Sequence, residues 1–172
     1  MITPALVQTL SDYNQWQNAS LYAAADTLSP AERAKDRGAF WGSIEATLNH
    51  ILRGDRLWLS RLGGGAGPKA TSMPETAQEG GDWDALKRAR QEQDAAIAAW
   101  AGVVEQSHLD RSLTYVSAAI GKEFTQNVGL LTVHMFNHQT HHRGQVHAML
   151  TAAGAKPEDT DLPFMPGPPP KP

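Results

Sequence analysis

The chain has 172 residues, of which 41% are hydrophobic, no cysteine and a formal net charge of −3. That length fits one domain with a buried core. Without cysteine there are no disulfides, thiolate nucleophiles or cysteine metal sites, so any transition metal must be held by His, Asp or Glu.

Thr3-Pro4 predicts a helix start, an N-cap followed by proline at the first helical position. The segment before it lacks the basic and apolar regions of a signal peptide, so a cytoplasmic location is expected. Leu6, Leu10, Tyr13, Gln17, Leu21, Ala24 and Leu28 then recur at steps of three and four, the inner face of a helix that Ser29-Pro30 stops. A second helix is predicted from about residue 40 to Leu62. Its stripe is Ile44, Leu48, Ile51, Leu52, Asp55, Leu59 and Leu62, and the glycines from Gly63 end it.

Residues 63–81 are rich in Gly, Pro and Ser and read as a surface loop. Its glycines lack the Lys-Ser/Thr of a phosphate loop, and no Gly-x-Ser-x-Gly elbow occurs. Asp82 caps a third helix with Trp83, Leu86, Ile97, Trp100 and Val104 on its inner face. Within 109–125, Ser112–Val116 and Lys122–Thr125 flank a turn at Gly121, which predicts a short hairpin. The fourth helix starts at about Thr125 or Asn127 and runs to Ala153, with Gly154 as its C′ residue. The Pro-rich tail, 155–172, cannot be helical, although Leu162-Pro163-Phe164-Met165 could dock on the body. There is no internal repeat. The expected fold is all-α: one domain over 1–172, an antiparallel four-helix bundle with a short hairpin before its last helix. The long 63–81 loop leaves a crossover topology open. No apolar run reaches the ~20 residues of a membrane span, and scattered Lys and Arg give no basic stripe for nucleic acid.

Five of the seven histidines fall between 134 and 147. On a helical wheel Leu131, Met135, Val146, Met149 and Ala153 define the buried arc of the fourth helix, and His138 and His142 lie inside it. A spacing of four stacks two imidazoles on one face, as two ligands of one metal require. Hydrogen-bonded core histidines would use the same pattern, and an unsatisfied polar group there costs about 1–3 kcal/mol. Two ligands do not complete a site. Of the remaining histidines, His108 falls in a loop. His50 lies off the main stripe of the second helix, among Thr47, Gly54 and Leu57, where periodicity permits an inward orientation without requiring it.

Thr47-Leu48-Asn49-His50-Ile51-Leu52, with Asp55 and Trp58 following, resembles the second-helix motif of the DinB-like (damage-inducible, YfiT-like) family. Asn137-His138-Gln139-Thr140-His141-His142-Arg143-Gly144-Gln145 is similar to its last-helix motif, His-x-x-x-His followed by Arg-Gly-Gln, and Tyr13-Asn14-Gln15-Trp16 to its first helix. The resemblance spans nearly the whole chain. It implies a four-helix bundle with a divalent metal at one end, held by His50, His138 and His142, with His141 left free on the rim. It also implies a homodimer, and a function among thiol-dependent transferases and isomerases or members without an assigned reaction.

Three protein ligands leave a coordination position open. Zinc or nickel there would acidify water, as in a hydrolase, or a small-molecule thiol, as in an S-transferase or isomerase. The rival reading is a non-enzymatic, metal-binding stress-response protein whose last position is closed by His134 or Asp55. Asn14, Gln17 and Asp55 are candidates to orient a ligand histidine. Each also has an ordinary role open to it: Asp55 with an arginine such as Arg143, Gln17 with backbone. Trp16, Trp41 and Trp58 are read as packing residues.

Overall fold

The computed structural model describes residues 2–72, 74–117 and 120–167. Its elements are α1 (Pro4–Asp26), α2 (Pro30–Ala34), α3 (Ile44–Arg61), α4 (Trp83–Ala101), α5 (Gln106–Leu109), β1 (Ser112–Ser117), β2 (Lys122–Asn127) and α6 (Val128–Ala152), with single 3-10 turns at Pro74–Gln78 and Leu162–Phe164. The four predicted helices are α1, α3, α4 and α6. Their starts are fixed by side chains that accept from backbone N–H groups: Thr3 from Leu6, Ser43 from Ala46, Asp82 from Ala85 and Asn127 from Leu130. No helix among the described residues is long and apolar enough to cross a membrane.

Packing runs in a ring, α1 against α4, α4 against α3, α3 against α6 and α6 against α1. Neighbours are not all antiparallel. Gly80, just before α4, donates its N–H to Asn49 near the start of α3, while Trp100 at the end of α4 sits by Gly64 and Leu59 at the end of α3. These two helices are therefore parallel, and residues 62–82 return along α3 as a crossover. The loop is tied down rather than free. Glu79 is 4% exposed, accepts from the N–H groups of Lys69 and Ala70, and pairs with Arg56 at 2.6 Å.

The apolar core has two parts. One gathers Leu21, Ile44, Leu48, Leu52, Leu86 and Val146; the other gathers Val7, Leu59, Ile97, Leu131 and Met135. The α3 stripe is buried as predicted. The α1 stripe is buried in its second half, at Gln17, Leu21 and Ala24, but at its start Leu6 is 45% exposed, and Val7, Ser11, Asn14 and Asn18 are buried beside it. The reason lies in α4 and α6, which present Asp94 and Arg143 to α1. Asn14 and Asn18 both donate to Asp94, and Arg143 donates to Asn14.

The hairpin pairs β1 with β2 in antiparallel register from Ser112↔Asn127 to Ser117↔Lys122. The tail contains one 3-10 turn where none was expected, with proline at its start. It docks, but through polar groups. Tyr13 and Gln17 donate to the carbonyls of Thr160 and Asp159, and Ser20 accepts from the Glu158 N–H. Phe164 remains 63% exposed.

Candidate metal centre

Helices α3 and α6 pack face to face, and the apolar residues that weld them also aim their histidines. On α3, Ile51, Leu52 and Leu59 fix the rotation of the helix, turning His50 towards α6. On α6, Met135, Gln139 and Val146 point into the core, which brings His138 and His142 against α3. Gly54 makes the close approach possible. A Cβ there would lie 2.7 Å from Cε1 of His138, so the imidazole occupies the room that the absent side chain leaves. Glycine inside a helix is unfavourable by roughly 0.5–1 kcal/mol relative to alanine, and that penalty is the counterpart of the room it leaves.

The structure thus brings together the three histidines singled out in the sequence. One ligand-type nitrogen of each lies within 4.8 Å of the others. Nε2 of His50 and Nε2 of His138 face each other at 3.0 Å. Two ligands at ~2.0–2.1 Å from one tetrahedral ion stand about 3.3 Å apart, close to that spacing. The His142 Nδ1–H donates to Oε1 of Gln145 at 2.8 Å, which leaves its Nε2 lone pair free.

All three imidazoles are held neutral. Burial pushes His50 down to about 3, helped by His138, His142 and Arg53. Burial likewise takes His138 to about 3, with the neighbouring histidines adding to it. His142 is also lowered by burial, against the Gln145 contact. Neutral imidazole is the ligand form. Hydrogen bonding within the protein leaves the cluster short of partners: Nδ1 of His50 and of His138 are buried with none, and only one of the two facing Nε2 atoms can be a donor. A shared cation accepts both Nε2 lone pairs at once, so the donor set fits a divalent ion.

Around the cluster, Trp41 stacks on His50 with ring centroids 4.3 Å apart. His134 is on the rim, 6.0 Å from His138 between ring centroids and edge-on to Trp58 at 4.7 Å. His141 is exposed beside His142, and His108 binds the Leu62 carbonyl far from the site.

None of the three polar residues considered as supports touches a ligand histidine. Asp55 accepts from Arg90 at 2.5 Å and Gln139 at 2.8 Å, so its arginine partner comes from α4, not from Arg143. Asn14 bridges Arg143 and Asp94, and Gln17 binds tail backbone. The residue that does support a ligand is Gln145. Its i, i+3 spacing from His142 is visible in the sequence and is the signal that identifies it.

Comparison with known proteins agrees with the motifs. The family model described as "DinB family" matches residues 1–169. The chain is similar to Protein DinB of Bacillus subtilis (strain 168), 24% identical over 156 residues that cover 88% of each protein. Its fold is like that of a DinB-like protein from Bacillus cereus ATCC 10987 in a crystal structure, with a TM-score of 0.60 at 16% identity over 84% of this chain and 90% of that one.

Proposed function

This chain belongs to the DinB family, and from that premise we propose that it is a metal-dependent enzyme whose zinc or nickel ion is held by His50, His138 and His142. The observation that carries the reading is the convergence of three neutral imidazoles, two with Nε2 atoms 3.0 Å apart. A divalent ion in such a site supplies Lewis acidity, enough to acidify a bound water or thiol. Lacking cysteine, the protein takes any thiol from a small molecule.

The chain's own groups do the positioning. Gln145 holds His142 by its Nδ1 proton, and Gly54 lets His138 reach across. Trp41 covers one face of His50 and keeps water from it. Asp55 is engaged by Arg90 and Gln139 and so does not compete for the ion. That favours an open position, and hence transferase, isomerase or hydrolase chemistry, over a closed storage or structural site. A homodimer is expected from the family resemblance and is read by light scattering.

The test begins with metal content and a zinc and nickel titration of the metal-free chain, with one ion bound per chain expected. The loaded protein is then given low-molecular-weight thiols with electrophiles, and separately esters and amides. Turnover in one panel, absent in the H50A/H138A/H142A variant, is the expected result. Tight binding with no turnover in either panel leaves a binding protein, and no binding removes the reading altogether.

A further inference from the structure

Beyond the three histidines, the α3 wall of the site carries charge that nothing balances. His50, Arg53, Leu57 and Arg61 follow one another at steps of three and four, so they share one helix face. Arg33, Arg37, Arg56 and Arg90 each pair with a carboxylate. Among the described residues, Arg53, Arg61, Arg88, Arg111 and Arg143 form no such pair, and of these Arg53 and Arg61 lie on the α3 face that carries His50. Nε of Arg53 is enclosed without a hydrogen bond.

Arg61 is held in place by aromatic rings. Its guanidinium lies 4.9 Å from the centre of the Trp58 ring and 4.6 Å from that of Tyr115, and one nitrogen donates to the Val116 carbonyl at 3.0 Å. Such stacking fixes the planar group and leaves other N–H donors free. Trp58 continues the wall to His134, and His134 to His138.

The surrounding field is one-signed. Among the described residues no carboxylate bonds to His50, His134, His138 or His142 or forms an ion pair with Arg53 or Arg61. At Arg61 the interacting groups are Tyr115 and Arg53. Glu123, opposite Val116 in the hairpin, makes no ion pair with Arg61. Two cations thus line one helix face beside neutral imidazoles, where an anion would be attracted.

We propose that Arg53 and Arg61 form an anion subsite beside the histidine cluster, and that the substrate is an organic anion with an apolar or aromatic portion lying against Trp58. Arg53 is one helical turn from His50, about 4.5 Å along the axis, and Arg61 about 12 Å further on. Arg53 therefore receives the anionic group nearest the reactive end, and Arg61 receives charge at the outer end. This substrate class rests on the histidine cluster being the reactive centre.

The test uses the metal-free full chain and three probes of one shape: 3-phenylpropionate, 3-phenylpropanol and 3-phenylpropylamine. Binding is followed by tryptophan fluorescence and by NMR shifts of the indole and imidazole signals. The carboxylate is expected to bind at least tenfold more tightly than the alcohol, and the amine most weakly, with the preference shrinking as salt rises. Arg53→Gln should reduce the preference at least fivefold and Arg53→Lys should restore most of it. Arg61→Lys keeps the charge if Arg61→Gln loosens the hairpin. Equal binding of the three probes, no binding by any of them, or a preference that survives in the R53Q/R61Q protein overturns the inference. The parallel zinc titration separates the two readings. A chain that prefers the anion but takes no zinc breaks only the metal assignment, and one that takes zinc but is blind to charge breaks only this proposal.

Discussion

His50 and Asp55 stand little more than one turn apart on α3, and the two polar clusters they belong to are built on different terms. Around Asp55 opposite charges face each other, Asp55 and Asp94 against Arg90 and, at longer range, Arg143. Arg90 lies between Asp55 at 2.5 Å and Asp94 at 2.9 Å, Gln139 takes the second oxygen of Asp55, and Asn14 and Asn18 complete Asp94. Burial opposes the Arg90 cation, but Asp94 and Asp55 outweigh it and hold the guanidinium firmly charged. Burial pushes the Asp55 carboxyl up, against Arg90 and Gln139, which favour its ionised form. Around His50 there are no opposed charges among the described residues. The imidazoles are neutral, two Nδ1 atoms have no partner, and among the described residues no carboxylate bonds to any of the three rings. A buried network of opposed charges specifies how four helices fit together. A buried cluster without them is arranged for something that arrives from outside.

The largest effect should come from breaking the ion-paired cluster. Asp55→Ala leaves Arg90 and Gln139 facing an empty volume, and removing one member of a buried ion pair costs about 3–5 kcal/mol. Urea unfolding should show that loss, whereas H50A/H138A should change metal-free stability by much less. Equal losses in the two proteins would erase the distinction between the clusters. Next in size is Gly54→Ala. Helix propensity alone makes alanine better there by roughly 0.5–1 kcal/mol, yet its Cβ would sit 2.7 Å from Cε1 of His138. Zinc affinity, followed by chelator competition, should fall on the order of 10- to 100-fold, the range seen when the setting of a ligand is disturbed, while stability moves little. Unchanged affinity would mean that His138 does not need the space.

Most of the helices were legible in the sequence because each is written locally, in Thr3, Asp82 and Asn127 and in the stripes that follow them, whereas the α3 cap at Ser43 went unread and the helix starts at Ile44 rather than at about residue 40. The His138–His142 pair was legible for the same reason. Its partnership with His50 came from the motif, since a wheel places His50 off the main stripe of α3 and is silent about which neighbour covers the second face. The polar network was hidden. Arg90 and Asp94 look like an exposed i, i+4 ion pair on α4, and only the packing of α1 and α3 over them makes that pair interior. The same blindness misplaced the first half of the α1 stripe. Hydrophobic periodicity favoured Leu6 and Leu10, while the face that meets Asp94 and Arg143 is the one bearing Asn14 and Asn18. The parallel run of α3 and α4 is likewise set by contacts of Glu79 and Gly80 inside a segment that reads as loop.

A smaller effect sharpens the comparison at Gln145. Gln145→Leu removes the acceptor that fixes His142 through Nδ1 and should weaken zinc binding about tenfold, the low end for such supports. Isothermal titration would register it as a change in affinity at unchanged stoichiometry. Gln139→Leu, which touches Asp55 instead, should show the opposite pattern, with stability reduced and metal affinity nearly kept.

The smallest effect is one of pH, and its sign follows from the histidine cluster. In the folded chain His50 and His138 titrate at about 3, whereas their ordinary value is 6.5. Between those values the unfolded chain binds protons that the folded chain refuses, so stability rises with pH through the window and is lost as pH falls from 6.5 towards 3. Between pH 7 and pH 6 the linkage is roughly 0.7 kcal/mol per histidine at most, and partial exposure of both rings reduces it further. The raised carboxyls of Asp55 and Asp94 act in the opposite sense, and both remain in the H50Q/H138Q protein, so the difference between the two proteins isolates the histidines. Urea midpoints of the metal-free protein at the two pH values should therefore differ more than those of H50Q/H138Q, and zinc should steepen the wild-type slope because protons compete for the same nitrogens. If the glutamine variant keeps the wild-type slope, the two imidazoles are not buried as neutral groups, and the contrast with the ion-paired cluster disappears.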